Sequence, residues 1–236
     1  MLSYLAKNFY RLYNKFIFWY QFRIRKNRQP LKEMLERAGK RSWLDVGASL
    51  SRHEGFHYTD IIPENEVPET LRDRYTCWNA TLPPTDAQKT RLGTFDLIRM
   101  QHVFEHFTPE DGIKVLRHCY DLLNPGGYLL ITVPDLKKFV WRYCLHALDD
   151  DWKFATWAHT RIQAGAPQSF YFSVFTHSVP HQSHQWCYDR SGLEYQIRRS
   201  IQPYSIEFLS PFHKLASIPF THNRPLEDLC VLIRKP

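Results

Sequence analysis

The sequence predicts an α/β domain built on a mostly parallel sheet, and three neighbouring segments carry that reading. Phe95 to Met100 (FDLIRM) is rich in large apolar residues and reads as a buried strand. Thr108-Pro109-Glu110-Asp111 then opens a helix: Thr108 can cap it, Pro109 suits its first position, and Asp111 completes a capping box. Ile113, Leu116, Tyr120 and Leu123 recur at helical spacing and are expected to face the core, with Lys114, Arg117, His118 and Asp121 outside. Asn124-Pro125-Gly126-Gly127 stops the helix, and Tyr128 to Val133 is a second buried strand ended by Pro134. Strand, helix and strand of these lengths form one right-handed parallel crossover. Between the first strand and the helix lies QHVFEHF, which crowds His102, Glu105 and His106 together. Open α/β sheets bind ligands outside the carboxyl ends of their strands, which makes these three the first candidate site residues.

A chain of 236 residues with 43% hydrophobic content can bury one good core, so a single α/β domain with appendages is expected. Aromatic residues reach 15%, enough to line a site or a surface with rings. Cys77, Cys119, Cys144, Cys187 and Cys230 are odd in number, widely spaced and without a CxxC pair. They read as reduced thiols of a cytoplasmic protein, not as a disulfide framework or a structural zinc site. The net charge of +7 is uneven: residues 1–41 hold 11 Lys/Arg and 2 Asp/Glu, leaving 20 and 22 for the remainder.

The basicity therefore belongs to an N-terminal arm, residues 1–41. Leu5, Phe9, Leu12, Phe16 and Trp19 follow helical spacing there, while Lys7, Arg11 and Lys15 step along another face. Its charge-free apolar run, Phe16 to Phe22, is far short of the ~20 residues that a spanning helix requires. Two readings stay open for residues 1–28: peripheral contact with the inner face of a membrane, or packing on the domain or on a second copy. Nucleic acid is not expected. Pro30 ends the arm's first helix, and Leu31–Ala38 reads as a short helix stopped by Gly39.

Residues 42–236 are expected to form the main domain. Ser42 to Gly47 is its first strand and Phe56 to Ile62 its second, with only Ala48–Gly55 between them. That gap is too short for a full crossover helix with its loops. Tyr75 to Ala80 is a short third strand; Lys137–Leu148 reads as a helix; Tyr204–Leu209 and Leu226–Ile233 are the last two strands, the final one antiparallel. Residues 136–186 form a ring-rich insertion containing Trp152, Phe154, Trp157, Phe170, Tyr171, Phe172 and Phe175.

The run FDLIRMQHVFEHF…VLRHCYDLLNPGGYLLITVPD resembles the fourth and fifth motifs of class I S-adenosylmethionine-dependent methyltransferases. It is most similar to the branch found among bacterial surface-polysaccharide enzymes, and LDVGAS, YTDI and HQWCYD fit the same branch. The resemblance covers residues 42–235. It implies a Rossmann-like sheet of order 3-2-1-4-5-7-6 and S-adenosylmethionine as cofactor, with S-adenosylhomocysteine as product. By the same resemblance Asp45 and Gly47 lie along the methionine part, and Asp60 accepts the ribose hydroxyls with Ile61 beside the adenine. Asn79 and Ala80 sit at the adenine end, Asn79 in place of a more usual Asp, and Gln101 and His102 lie near the methyl group. The chain departs from the family's Gly-x-Gly loop: Ala48 and Ser49 follow Gly47.

The insertion after the fifth strand is where this fold often builds its acceptor site, so His181, His184 and Trp186 are the expected substrate residues. Ubiquinone-type O-methyltransferases resemble the QHVFEHF segment and hold a divalent ion with acids around E..EH. His102 replaces the first acid here, and no metal is expected. A sugar hydroxyl needs its proton removed during attack, a task suited to a neutral imidazole. His102 and His106, with Glu105 between them, are the expected catalytic residues. The resemblance implies O-methylation of a sugar or glycan acceptor. The shortened glycine loop motivates a different class, a non-catalytic binding or scaffold module, and a small-molecule acceptor is a third reading.

Overall fold

The computed structural model describes residues 2–48, 55–146 and 184–236. Its sheet contains β1 (Trp43–Val46), β2 (Phe56–Asp60), β3 (Tyr75–Cys77), β4 (Phe95–Gln101), β5 (Leu123–Pro134), β6 (Ser205–Leu209) and β7 (Asp228–Arg234). The order is β3-β2-β1-β4-β5-β7-β6, parallel except where β7 pairs antiparallel with β5 and β6. This is the sheet order expected from the sequence. β1 and β2 pair in parallel with no described helix between them, as the short gap required.

Alternation along the strands divides the core between the two faces of the sheet. Leu44, Val46, Ile98, Met100, Leu129 and Ile131 lie in one buried cluster. That cluster is covered by α5 (Pro109–Asp121) and by α7 (Arg190–Ser200) through Val115, Leu116, Leu193 and Ile197. Trp43, Phe56, Tyr58, Leu97 and Leu130 lie in the other, with Leu31 and Leu35 of α2 (Pro30–Arg37) and Phe220. Both faces are covered, so β1 is buried at every position, as parallel strands usually are. The remaining helices are α1 (Leu2–Trp19), α3 (Glu69–Arg72), α4 (Asp86–Leu92) and α6 (Leu136–His146).

Four local expectations are corrected. The buried face of α5 is Gly112, Val115, Leu116 and Cys119, while Ile113 and Tyr120 are only half-buried. The helix turns this way because α7 packs close at Gly112, where a Cβ would lie 3.1 Å from Phe104 and 3.3 Å from Gln196. Asn124-Pro125-Gly126-Gly127 is not a loop before a strand but a bulge within β5: Leu123 pairs with Phe95, and pairing resumes at Tyr128 with Leu97. Gly126 takes φ +67°, and a Cβ on Gly127 would lie 2.8 Å from the Asn124 carbonyl oxygen, so the bulge needs both glycines. β3 ends at Cys77, because Asn79 begins a turn whose carbonyl accepts the Leu82 amide at 2.9 Å. The Thr108 hydroxyl accepts the Asp111 amide at 3.2 Å, and a reciprocal capping box occurs instead at Thr85 and Gln88.

Candidate active site

The polar residues of QHVFEHF meet at the carboxyl edge of β4. His102 leaves the strand in the left-handed region, at φ +57°, a conformation that costs a non-glycine residue about 1 kcal/mol or more. The chain then makes a short 3₁₀ turn over Phe104–His106, anchored by Phe104, which is fully buried and stacked on Tyr188 at 5.4 Å. This turn drives Glu105 inward: it is 2% exposed, although nothing apolar about the residue favours burial.

His102 lies between two carboxylates. Its Nε2 is 3.0 Å from Asp228 Oδ1, at the start of β7, and its Nδ1 is 3.4 Å from Glu105 Oε1. Both carboxylates hold the protonated ring by close polar contact and by charge. Burial by itself would lower the imidazole pKa, but Asp228 and Glu105 together outweigh it and raise the value to about 9. At neutral pH His102 is therefore an imidazolium. The raised value works against the neutral form that a general base requires.

His106 and His184 form the other half of the cluster, with ring centres 4.8 Å apart and edge to face. His184 Nε2 is 3.9 Å from Glu105 Oε1. The backbone fixes this arrangement, since the Glu105 carbonyl accepts the amides of Gln185 and Trp186 at 2.8 and 3.2 Å. Trp186 is 49% exposed beside the turn. One ligand atom each from Glu105, His106 and His184 lie within 4.8 Å of one another, a spacing that serves either a proton relay or a divalent cation. His181, the other expected acceptor residue, lies outside the described residues, as do the rings of 152–175.

The remaining candidates line the same edge of the sheet. Asp60 ends β2 and its Oδ1 accepts the Ile61 amide at 2.7 Å, while Ile61 is 58% exposed. Asn79 Oδ1 accepts from both the amide and the hydroxyl of Thr81, at 3.1 and 2.9 Å. The oxygen expected to receive an adenine amino group is thus already engaged, and the side chain has its amide donor to offer. Ala80 is buried, with its carbonyl 2.9 Å from His118 Nδ1, and Gln101 Nε2 donates to the Pro219 carbonyl at 3.0 Å. Gly47 has φ +67°, and a Cβ there would lie 2.7 Å from both methyl carbons of Val103, so its glycine has a packing reason. Asp45 is buried and gives both carboxylate oxygens to the Arg99 guanidinium, its register partner on β4.

Two participants were not picked out in the sequence. Arg99 had a signal, a cation inside an otherwise apolar strand, where burial demands a partner. Asp228 had none, since only the antiparallel return of β7 beside β5 brings it to His102.

A sequence profile described as a methyltransferase domain matches residues 18–195, well over half of the chain. The protein belongs to this family, the class I methyltransferases, whose methyl donor is S-adenosylmethionine. No curated protein matches the chain. Solved structures similar to it include an S-adenosylmethionine-dependent methyltransferase from Clostridium acetobutylicum ATCC 824, at 13% identity and TM-score 0.48, aligned over 95% of this chain and 99% of that one. PigF with SAH is 13% identical at TM-score 0.47, over 93% of this chain and 58% of its own. The N-methyltransferase NodS from Bradyrhizobium japonicum WM9, in complex with S-adenosyl-L-homocysteine, is 10% identical at TM-score 0.46, over 91% and 88%.

The residues at the strand edge fit such a cofactor by their chemistry. An acid at the end of β2 suits a ribose diol, the open side chain of Ile61 beside it suits an adenine face, and Asn79 adds a donor one strand over. Among the described residues no helix is long and apolar enough to cross a membrane.

Proposed function

We propose that the protein methylates a hydroxyl of a sugar, in a surface glycan or its activated or lipid-linked precursor, with His106 as the general base. The observation that carries this reading is the sorting of the imidazoles at one strand edge. His102 is held as a cation between Asp228 and Glu105, whereas His106 faces His184 beside an exposed tryptophan. Bound S-adenosylmethionine supplies an electrophilic methyl group, leaving the protein to hold, align and deprotonate. Asp60 would accept the ribose hydroxyls, Ile61 would lie against the adenine, and Asn79 would donate to the ring. His102 does not titrate at neutral pH, so the acceptor proton goes to His106 as the carbon–oxygen bond forms and the carbon–sulfur bond breaks. Trp186 offers its open ring to the apolar face of a sugar, and His184 orients the base. The surface-polysaccharide assignment of the acceptor rests on the sequence resemblance.

The test is transfer of a labelled methyl group to a panel of nucleotide sugars and lipid-linked sugars. His106→Ala should reduce turnover by about 10²–10⁴-fold with cofactor affinity little changed. Chelator should leave the rate intact. A rate abolished by chelator and restored by a divalent ion would instead make Glu105, His106 and His184 the holders of a metal. Full activity of His106→Ala would remove it from the chemistry altogether.

A further inference from the structure

The N-terminal arm docks on the domain through a limited set of side chains among the described residues. Ile17 is fully buried, and Gln21, in the π-helical turn Tyr20–Ile24, is 4% exposed and donates to the Pro211 carbonyl at 2.7 Å. Tyr13, Phe16 and Tyr20 gather around Phe212 with ring centres 5.4 to 5.9 Å away. Arg25 closes the contact by donating to the Ala216 carbonyl at 2.6 Å. These bonds fix the orientation of the arm on the domain.

The side chains around this contact are unusually open for a surface helix. Phe9 and Leu12 are each 66% exposed, Phe16, Trp19 and Phe22 each 50%, and Ile24 56%. Lys15, Arg23, Lys26 and Arg28 are exposed among them, and no acidic residue occurs before Glu33. A large apolar surface that stays open on a fixed element marks an interaction site. The charge decides between partners. Two copies meeting face to face would bring like cations together around the rings, with no acid on this segment to offset them. Anionic headgroups complement those cations, and the boundary beneath them accepts the rings.

We propose that the exposed face of residues 9–28 is a docking surface for an anionic phospholipid membrane, with the arm lying in the plane of the interface. This follows from the arm alone and is independent of which acceptor the enzyme uses.

Co-sedimentation of the full chain with vesicles tests it. Wild-type protein should pellet with phosphatidylcholine–phosphatidylglycerol vesicles at low salt, far less with phosphatidylcholine alone, and progressively less as salt rises. Lys15→Gln with Arg23→Gln removes two interfacial cations without touching the buried side and should weaken binding about thirty-fold. Phe9→Ser with Trp19→Ser should weaken binding while leaving far-ultraviolet circular dichroism, melting temperature and cofactor affinity close to wild type. Wild-type protein that stays in the supernatant with anionic vesicles at low salt would overturn the proposal. So would a soluble dimer, seen by sedimentation velocity, that dissociates in the Phe9→Ser, Trp19→Ser variant while vesicle binding is unaffected.

Discussion

Asp60 and His102 show how much one side chain can decide at this strand edge. Asp60 terminates β2 with a carboxylate whose Oδ1 accepts the Ile61 amide. On the proposed reading, Asp60→Ala loses two charge-assisted hydrogen bonds and should weaken S-adenosylmethionine binding about ten- to hundred-fold by calorimetry. Unchanged affinity in the folded variant would place the cofactor elsewhere. His102 was read in the sequence as a base because of its company, two histidines and one acid in five residues. That company was legible, but its electrostatics were not. The second acid, Asp228, comes from the far end of the chain, and it is this residue that helps to turn a potential acceptor of protons into a fixed cation.

Within and between elements, pairing explains both the successes and the misses. The crossover around residues 95–135 was readable because its apolar spacing, cap and stop signals all agree. The bulge in β5 was not, because Asn-Pro-Gly-Gly in a sequence looks the same whether it separates two elements or kinks one. The orientation of α5 depended on Gly112, whose small size matters only once α7 is known to pack there. The Asp45–Arg99 pair ties β1 to β4 at matched register positions, and the guanidinium also lies over Phe56, 4.6 Å from its centre. Asp45→Asn should leave that buried cation without its counter-charge and destabilise the fold by about 3–5 kcal/mol in denaturant unfolding. Replacing both partners with apolar residues of similar volume should restore much of the loss. If the single and double variants were equally unstable, the pair would be contributing packing and not charge balance.

Across the whole molecule, buried histidines on opposite sides of neutrality shape the response to pH. Burial pushes His57 and His222 down to about 4, with Arg91 adding to the effect at His57. Their contribution to stability is complete above the unfolded value of 6.5 and is lost as the pH falls towards 4. His102 works in the other direction: held at about 9, it contributes fully below 6.5, and the contribution is lost as pH rises through 9. Thermal melts followed by circular dichroism should therefore give a melting temperature that is highest near neutral pH and falls on both sides. A melting temperature that kept rising from neutral pH to 9 would contradict the charge state assigned to His102.

The chain leaves the sheet at Asp135 and comes back beside the same point. Asp135 bridges to Tyr188, and the Leu136 amide donates to the Tyr188 carbonyl at 2.8 Å. Both ends of the intervening stretch are thus held at one point of the sheet, beside the turn Phe104–His106. Closing a loop becomes only slowly less favourable as it lengthens. On the proposed reading, in which this stretch contributes to the acceptor site, its length and composition can vary while the registers of the sheet stay as they are, and an engineer seeking a new acceptor would exchange the residues between α6 and His184 first.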